Sequence, residues 1–253
     1  MTVKELLVMP SIVWGRHPQE AYDNPYEYGL QEQFLKEAAE LLSQLQIKLD
    51  QFTMCYHRDE CTLEKATWML ELDLIDALQE SVSLLRERRH RIAFRLFRDT
   101  VETMDLLRVF HSSTPNAEKA LNKWYVDYTI PHSQSRKYIE ETSGSETANR
   151  RRDYYNQLSK FTHRSYRALL KSFSLGVNGM LVHDSHSMGV LTLPQTIASG
   201  LAILADLIIQ ASECLKLCGP LESEEVDAVW LVALDIHTVP RQFSPQKSLE
   251  DYE

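Results

Sequence analysis

The feature that most constrains the fold is a run of helical periodicity that extends from about Leu63 to Phe110. Apolar side chains recur in this run at spacings of three and four, and no glycine or proline interrupts them. The segment RERRHR at residues 86–91 contains no apolar residue, which predicts a break between a helix over 63–85 and another over 90–111. A chain of 253 residues with 8 Gly and 9 Pro also has little material for the turns of an all-β fold. The sequence therefore predicts an all-α protein.

Boundary signals along the rest of the chain predict a bundle of six to seven helices. The segment SGSE at 143–146 fits a capping box that opens a helix ending near Phe173, and TLPQ at 192–195 fits a second one. The second of these helices is predicted to end at Gly219-Pro220, because glycine and then proline commonly follow a helix C-terminus. The glycine-containing segment over 176–191 is predicted to be a small β-hairpin or a structured loop.

The domain organisation that follows from this pattern is simple. We predict a single helical domain over residues 26–237. An irregular N-terminal arm over 1–25 precedes it, because three prolines occur there without a helical period. A polar C-terminal tail over 238–253 follows the domain.

Charge and cysteine content indicate the compartment. The net charge of −9 means that the surface as a whole does not attract nucleic acid, so contact with RNA would need a local basic patch. The N-terminus lacks the pattern of a signal peptide, and four cysteines are too few for a disulfide scaffold. The longest apolar run, near 197–209, contains Asp206 on one stripe with Gln210 and Glu213, which is typical of a core helix rather than a membrane span. We therefore expect a cytoplasmic protein without a membrane segment.

No metal or cofactor site is predicted. Cys55 and Cys61 flank a short loop, and Cys214 and Cys218 are one helical turn apart, whereas zinc sites use tighter spacings such as C-x2-C. We interpret these thiols as small apolar side chains. The sequence also contains no Gly-rich phosphate loop of the Walker or Rossmann type, so nucleotide-driven chemistry is not expected.

Two polar motifs on separate predicted helices are the candidates for a functional site. Arg98 and Glu102 are four residues apart and share a face of a helix that has apolar residues on both sides. Buried charges are costly unless they are paired and hydrogen-bonded, so a neighbouring helix must supply polar partners. The predicted partners share one region of a later helix and are Tyr155, Asn156, Ser159, His163 and Tyr166.

These motifs resemble those of an uncharacterised bacterial all-helical family. The run FRLFRDTVETMDLLRVF is followed by YYNQLSKFTHRS, and members of that family carry an Arg-x3-Glu helix and a later Tyr-x2-Leu-Ser-x3-His helix. The resemblance covers roughly residues 63–173. The family is similar in turn to the HEPN-like superfamily of helical bundles, which includes abortive-infection and toxin proteins. The resemblance implies a protein of prokaryotic antiviral defence or of a toxin–antitoxin system, acting as a homodimer or with a partner subunit.

The resemblance also implies a possible catalytic activity. Many HEPN-like proteins are metal-independent ribonucleases that use an Arg separated from a His by four to six intervening residues. His163 matches the His, but residues 156–158 occupy the place of the Arg, so Arg98 would supply the cation from the neighbouring helix. His163 would then be the base for the 2′-hydroxyl, with Arg98 stabilising charge on the phosphate and Glu102 orienting both. The RNA backbone would be guided by Arg150, Arg151 and Arg152.

A second hypothesis assigns no catalysis to these residues. Arg98, Glu102 and His163 would instead form a structural network that fixes the register of two helices, since buried ion pairs are often only satisfied structure. The protein would then be a non-catalytic bundle that binds a partner. This non-catalytic component is our first prediction, and the metal-independent endoribonuclease is the alternative.

Overall fold

The structure is a computed structural model that describes residues 28–87, 89–164, 173–175, 180–183 and 194–235, together with Tyr166 and Leu169. The predicted N-terminal arm and C-terminal tail lie outside these residues. Helix dominates the described ranges, and the helices pack as a bundle around an apolar core. The predicted all-α fold is therefore confirmed.

Seven helices are present in the described part of the chain. They are α1 (Tyr28–Asp50), α2 (Leu63–Arg86), α3 (His90–Phe110), α4 (Pro115–Tyr125), α5 (His132–Thr162), α6 (Pro194–Cys218) and α7 (Ser223–Asp235). The gap between α2 and α3 confirms the break predicted at the basic segment. The end of α6 just before Gly219 was also predicted correctly, whereas α5 ends earlier than expected.

A short hairpin follows α5. Strands β1 (Phe173–Leu175) and β2 (Leu181–His183) pair in antiparallel fashion, with Ser174 opposite Val182. The pairing begins three residues before the range in which a hairpin was predicted. Residues 176–179 and 184–191 of that range lie outside the described residues.

The helix α3 is the centre of the bundle, because it packs against α2, α4, α5 and α6. Its apolar ridge follows the predicted spacing, and Phe94, Phe97, Val101 and Met104 are fully buried. A polar group on this side of α3 is therefore surrounded by other helices. Such a group must find its hydrogen-bond partners on those helices, because water does not reach it.

The most apolar helix, α6, carries the predicted polar stripe. Asp206 and Glu213 are exposed, and Gln210 between them is half-buried and donates to the Asp206 carboxylate at 2.8 Å. Within the described ranges, no helix combines the length and the apolar character that crossing a membrane requires.

The helix α5 is a helical hairpin rather than one straight rod. His132 at its start stacks on Tyr155, with the ring centroids 3.8 Å apart, although a straight helix would separate these residues by about 34 Å at ~1.5 Å per residue. The reversal occurs at Gly144, which has φ +83° and ψ 163°. We call residues 132–143 the first arm of α5 and residues 145–162 its second arm. The helix predicted to open at 143–146 corresponds to the second arm.

Replacing Gly144 with alanine is expected to destabilise the protein by about 1–3 kcal/mol, because that backbone conformation is accessible almost exclusively to glycine. No neighbouring atom would contact the added Cβ, so the loss would come from backbone strain alone. The free energy of unfolding from urea titrations followed by circular dichroism measures this effect. Ser145→Ala, at the next exposed position, is the control. Equal stability of the two variants would show that Gly144 is not required for the reversal.

A buried acid lies in the core on α2. Glu71 is fully buried, and neither of its carboxyl oxygens has a hydrogen-bond partner among the described residues. Burial, with a smaller contribution from the Cys214 thiol, raises the pKa of Glu71 to about 9. The carboxyl is therefore neutral at physiological pH. Gly219 provides the space for it, since a Cβ there would come within 2.4 Å of the Glu71 Oε1.

The raised pKa of Glu71 predicts a loss of stability with rising pH. Between its ordinary value of 4.5 and about 9, the carboxyl is ionised only in the unfolded state, which therefore binds fewer protons than the folded state. The free energy of unfolding should fall across this window in the wild type and fall less in Glu71→Gln. Melting temperatures between pH 5.5 and 8.5 test this, with Glu213→Gln as an exposed control. Parallel pH profiles for wild type and Glu71→Gln would contradict it.

Candidate functional site

The predicted Arg98–Glu102 pair forms on α3. The Arg98 Nε donates to the Glu102 Oε1 at 3.0 Å, as expected from the four-residue spacing. The two side chains are 33% and 38% exposed, so the pair is at the edge of the core rather than within it. Its partner on α5 is Tyr155, whose hydroxyl donates to the same Glu102 oxygen at 2.8 Å.

Tyr155 holds this pair by both its hydroxyl and its ring. The Arg98 guanidinium carbon is 5.0 Å from the ring centroid, a distance at which a cation is attracted by an aromatic face. Burial and the neighbouring Glu102 carboxylate raise the pKa of the Tyr155 hydroxyl. Tyr155 therefore remains a protonated donor at neutral pH.

The same tyrosine connects the pair to a second, buried group of charges. Its ring stacks on His132, and the His132 Nε2 is 2.9 Å from the Asp105 Oδ2. A carboxylate oxygen only accepts, so Nε2 carries the proton and donates it. The Asp105 carboxylate is completely buried and also lies 2.9 Å from an Arg151 guanidinium nitrogen and 3.7 Å from one of Arg108.

Arg151 extends the group of charges to a third helix. Its guanidinium donates to the Gln210 Oε1 on α6, and Gln210 in turn donates to Asp206. The result is one connected set that joins α3, both arms of α5 and α6. We call it the polar cluster; its members are Arg98, Glu102, Asp105, His132, Arg151, Tyr155 and Gln210.

The predicted polar partners on α5 are mostly elsewhere. Asn156 and His163 are exposed, Tyr166 is also exposed, and Ser159 is half-buried. His163 follows the last residue of α5, where its backbone N–H bonds the Ser159 carbonyl. No described hydrogen bond or ion pair joins Asn156 or His163 to the Arg98–Glu102 pair, and the buried face of the second arm carries Leu158 and Arg151.

The three consecutive arginines point to different surroundings. Arg151 is buried in the polar cluster, so it is not available to an RNA backbone. Arg150 and Arg152 are exposed and lie 3.6 Å and 3.7 Å from the carboxylates of Glu146 and Asp153. The three side chains do not form a continuous basic surface, since successive residues on a helix project in different directions.

Asp105 and His132 are members that the sequence analysis did not name. It named Gln210 only as part of a polar stripe and Arg151 only as an RNA contact. The signal for Asp105 was present, because it follows Val101 by four residues and Phe97 by eight on the buried ridge of α3. A carboxylate at that spacing requires a cation or donor from a neighbouring helix. His132 offered no comparable signal, since it directly follows Pro131 outside any periodic stretch.

A pocket of about 390 Å³ opens beside the cluster, between α3, the end of α4 and the first arm of α5. Its walls include Glu102, Leu106, Trp124, Asp127, Tyr128 and His132. Two of the residues that line it are acidic, and none of the described ones is a lysine or an arginine. The imidazole of His132 presents neither nitrogen to this space, because Nε2 is bound to Asp105 and Nδ1 is buried.

Metal-ligating residues do not converge in this region. In the part of the chain that the structure describes, no three His, Cys, Asp or Glu side chains are grouped so that they could hold a metal ion. The four cysteines are free thiols, with Cys55 and Cys61 exposed and Cys214 buried.

Comparisons of this chain with protein-family models, with curated proteins and with solved structures found no significant match. The HEPN-like resemblance accordingly rests on the two sequence motifs.

Removing the Asp105 charge tests the energetic role of the polar cluster. Asp105→Asn keeps the shape of the side chain but leaves Arg151 buried without its countercharge, which is expected to cost about 3 kcal/mol of the free energy of unfolding. Urea titration measures this cost. The control is Glu146→Gln, which removes the carboxylate that pairs with the exposed Arg150 on α5. This change should alter stability little. An Asp105→Asn variant as stable as Glu146→Gln would mean that the cluster does not hold the helices.

Proposed function

We propose that this chain is a non-catalytic, HEPN-like helical bundle that binds a partner protein in a prokaryotic defence or toxin-type system. The observation that carries the proposal is the pairing of charges within the polar cluster. Each charged member of the cluster lies within ion-pair distance of another charged group, and the buried Asp105 is enclosed by His132, Arg151 and Arg108. Charges paired in this way stabilise helix packing. The polar atoms of Asp105, His132 and Arg151 that lack a hydrogen-bond partner among the described residues are buried, so they are withdrawn from a substrate.

The geometry gives little support to metal-free RNA cleavage. That reaction needs a base and a cation that face the same space. Arg98 is engaged by Glu102 and by the ring of Tyr155, whereas His163 is exposed at the far end of the second arm of α5. The one imidazole beside the pocket, that of His132, has both nitrogens withdrawn from it.

The two motifs on which the HEPN-like resemblance rests are in contact with each other. Tyr155 begins the Tyr-x2-Leu-Ser-x3-His motif, and its hydroxyl bonds Glu102 of the Arg-x3-Glu motif. The two motifs thus meet as one packing unit between α3 and α5. Selection for this packing would retain both motifs in a protein without catalysis.

Exposed apolar side chains beside the pocket support the binding role. Val126 is 74% exposed immediately after α4, and Tyr128, also substantially exposed, lines the pocket itself. Apolar and aromatic groups around a concave site are typical of protein interfaces. The proposal also includes a cytoplasmic location, which the free state of all four cysteines supports.

Partner retention tests the binding role. Tagged wild type, Val126→Glu and Leu217→Glu would be expressed in the native host and purified under identical conditions. Leu217 is the matched control, since it is 79% exposed on α6, a different helix. We expect a protein that copurifies with wild type and with Leu217→Glu but is lost with Val126→Glu, because the added charge would be buried at the interface. Equal retention by all three would contradict the proposed surface.

A parallel incubation tests the absence of catalysis. Purified wild type and His163→Ala would be incubated with total cellular RNA in EDTA and analysed on gels. We expect no cleavage by either protein. Cleavage by the wild type that is lost in His163→Ala would overturn the non-catalytic proposal in favour of the ribonuclease.

A further inference from the structure

We propose that the pocket beside the polar cluster receives an arginine side chain of the partner protein. This inference rests on the proposed partner-binding function and names the group that is recognised. The described residues that line the pocket supply two carboxylates, Glu102 and Asp127, and no lysine or arginine. Glu102 is already paired with Arg98, so Asp127 is the lining carboxylate for which no ion pair is described. An acidic lining in a concave site attracts a cation.

Both carboxylates have the means to accept from a ligand. Arg98 and Tyr155 bond the same oxygen of Glu102, Oε1, and among the described contacts Oε2 is left for an incoming donor. Asp127 is exposed in the turn after α4, where its backbone N–H bonds the Trp124 carbonyl at 3.0 Å. The turn thereby fixes the position of Asp127 at the pocket.

The aromatic walls favour a cation of planar shape. Trp124 and Tyr128 both line the pocket, and the Lys123 ammonium already lies 5.3 Å from the centroid of the Tyr128 ring. That contact indicates that the Tyr128 ring can hold a cation, although Lys123 would also oppose a second one nearby. A guanidinium suits both the aromatic walls and the carboxylates of the pocket, because it stacks on aromatic faces and donates to carboxylates in a bidentate fork.

The surroundings favour a side chain of a protein over a free small cation. The volume of about 390 Å³ is near the lower end of the range for ligand pockets, which suits one side chain. The exposed Val126 beside the pocket would remain uncovered by a free cation, whereas a polypeptide that inserts an arginine would also cover it.

A peptide titration tests the assignment on the full chain. The probe is acetyl-Gly-Arg-Gly-Leu-amide, and the matched ligand carries citrulline, which has the same shape without the charge. The indole resonance of Trp124, identified by its loss in Trp124→Phe, reports binding to 15N-labelled protein. We expect the arginine peptide to bind about tenfold more tightly than the citrulline peptide, as one charge-assisted hydrogen bond implies.

Protein variants locate the binding in the pocket. Asp127→Asn should weaken binding of the arginine peptide about tenfold. Asparagine tolerates the positive φ of 63° at this position, so the fold should be preserved. Asp153→Asn, an exposed carboxylate on α5, is the control and should bind as the wild type does.

Each remaining outcome overturns the assignment. Equal binding of the arginine and citrulline peptides, or no binding of either, would show that the pocket does not recognise the charge. Binding of free arginine amide as tight as that of the peptide would make the pocket a small-molecule site. If the peptide titration fails but Val126→Glu still abolishes copurification of the partner, only the arginine assignment is wrong and the partner-binding function stands. RNA cleavage dependent on His163 would instead remove the proposed function.

Discussion

The packing of the bundle depends on one buried ion, the Asp105 carboxylate. It lies on the central helix, is closed off from solvent, and is met by His132 and Arg151 from the two arms of α5 and by Arg108 from its own helix. A carboxylate in an apolar interior is costly unless it is paired and hydrogen-bonded. The arms of α5 can therefore pack on α3 only in the register that brings these donors to Asp105, and the contact of Tyr155 with the Arg98–Glu102 pair follows from that register.

Glu71 shows the other way in which this core accommodates an acid. Where Asp105 is surrounded by donors, Glu71 is buried without a hydrogen-bond partner among the described residues, and its raised pKa of about 9 keeps it neutral. The two acids are on neighbouring helices of one bundle, yet only the first specifies an arrangement of its neighbours. An ion pair fixes where the neighbouring helices must place their donors. Protonation only avoids the free-energy cost of burying a charge.

Most of the helical framework could be predicted from the sequence, because its determinants are local. The apolar ridge of α3, the break near residues 86–91 and the stop at Gly219 each follow from periodicity or capping within one segment. The polar cluster could be predicted only in part. The Arg98–Glu102 pair is local, but the second arm of α5 has few apolar residues to define its inner face, so Asn156 and His163 were chosen over Arg151. The contact of His132 with Asp105 arises from tertiary packing and has no local signal.

The reversal at Gly144 also has a consequence for the order in which the chain assembles. It brings together His132 and Tyr155, which are close in sequence, whereas the bond between Arg151 and Gln210 spans 59 residues. Closing the longer loop costs about 0.8 kcal/mol more in chain entropy, from the logarithmic dependence on loop length. The helical hairpin can thus form as an early, local unit during folding. Docking of α6 through Gln210 then follows later, because it requires that the hairpin has already brought Arg151 into position.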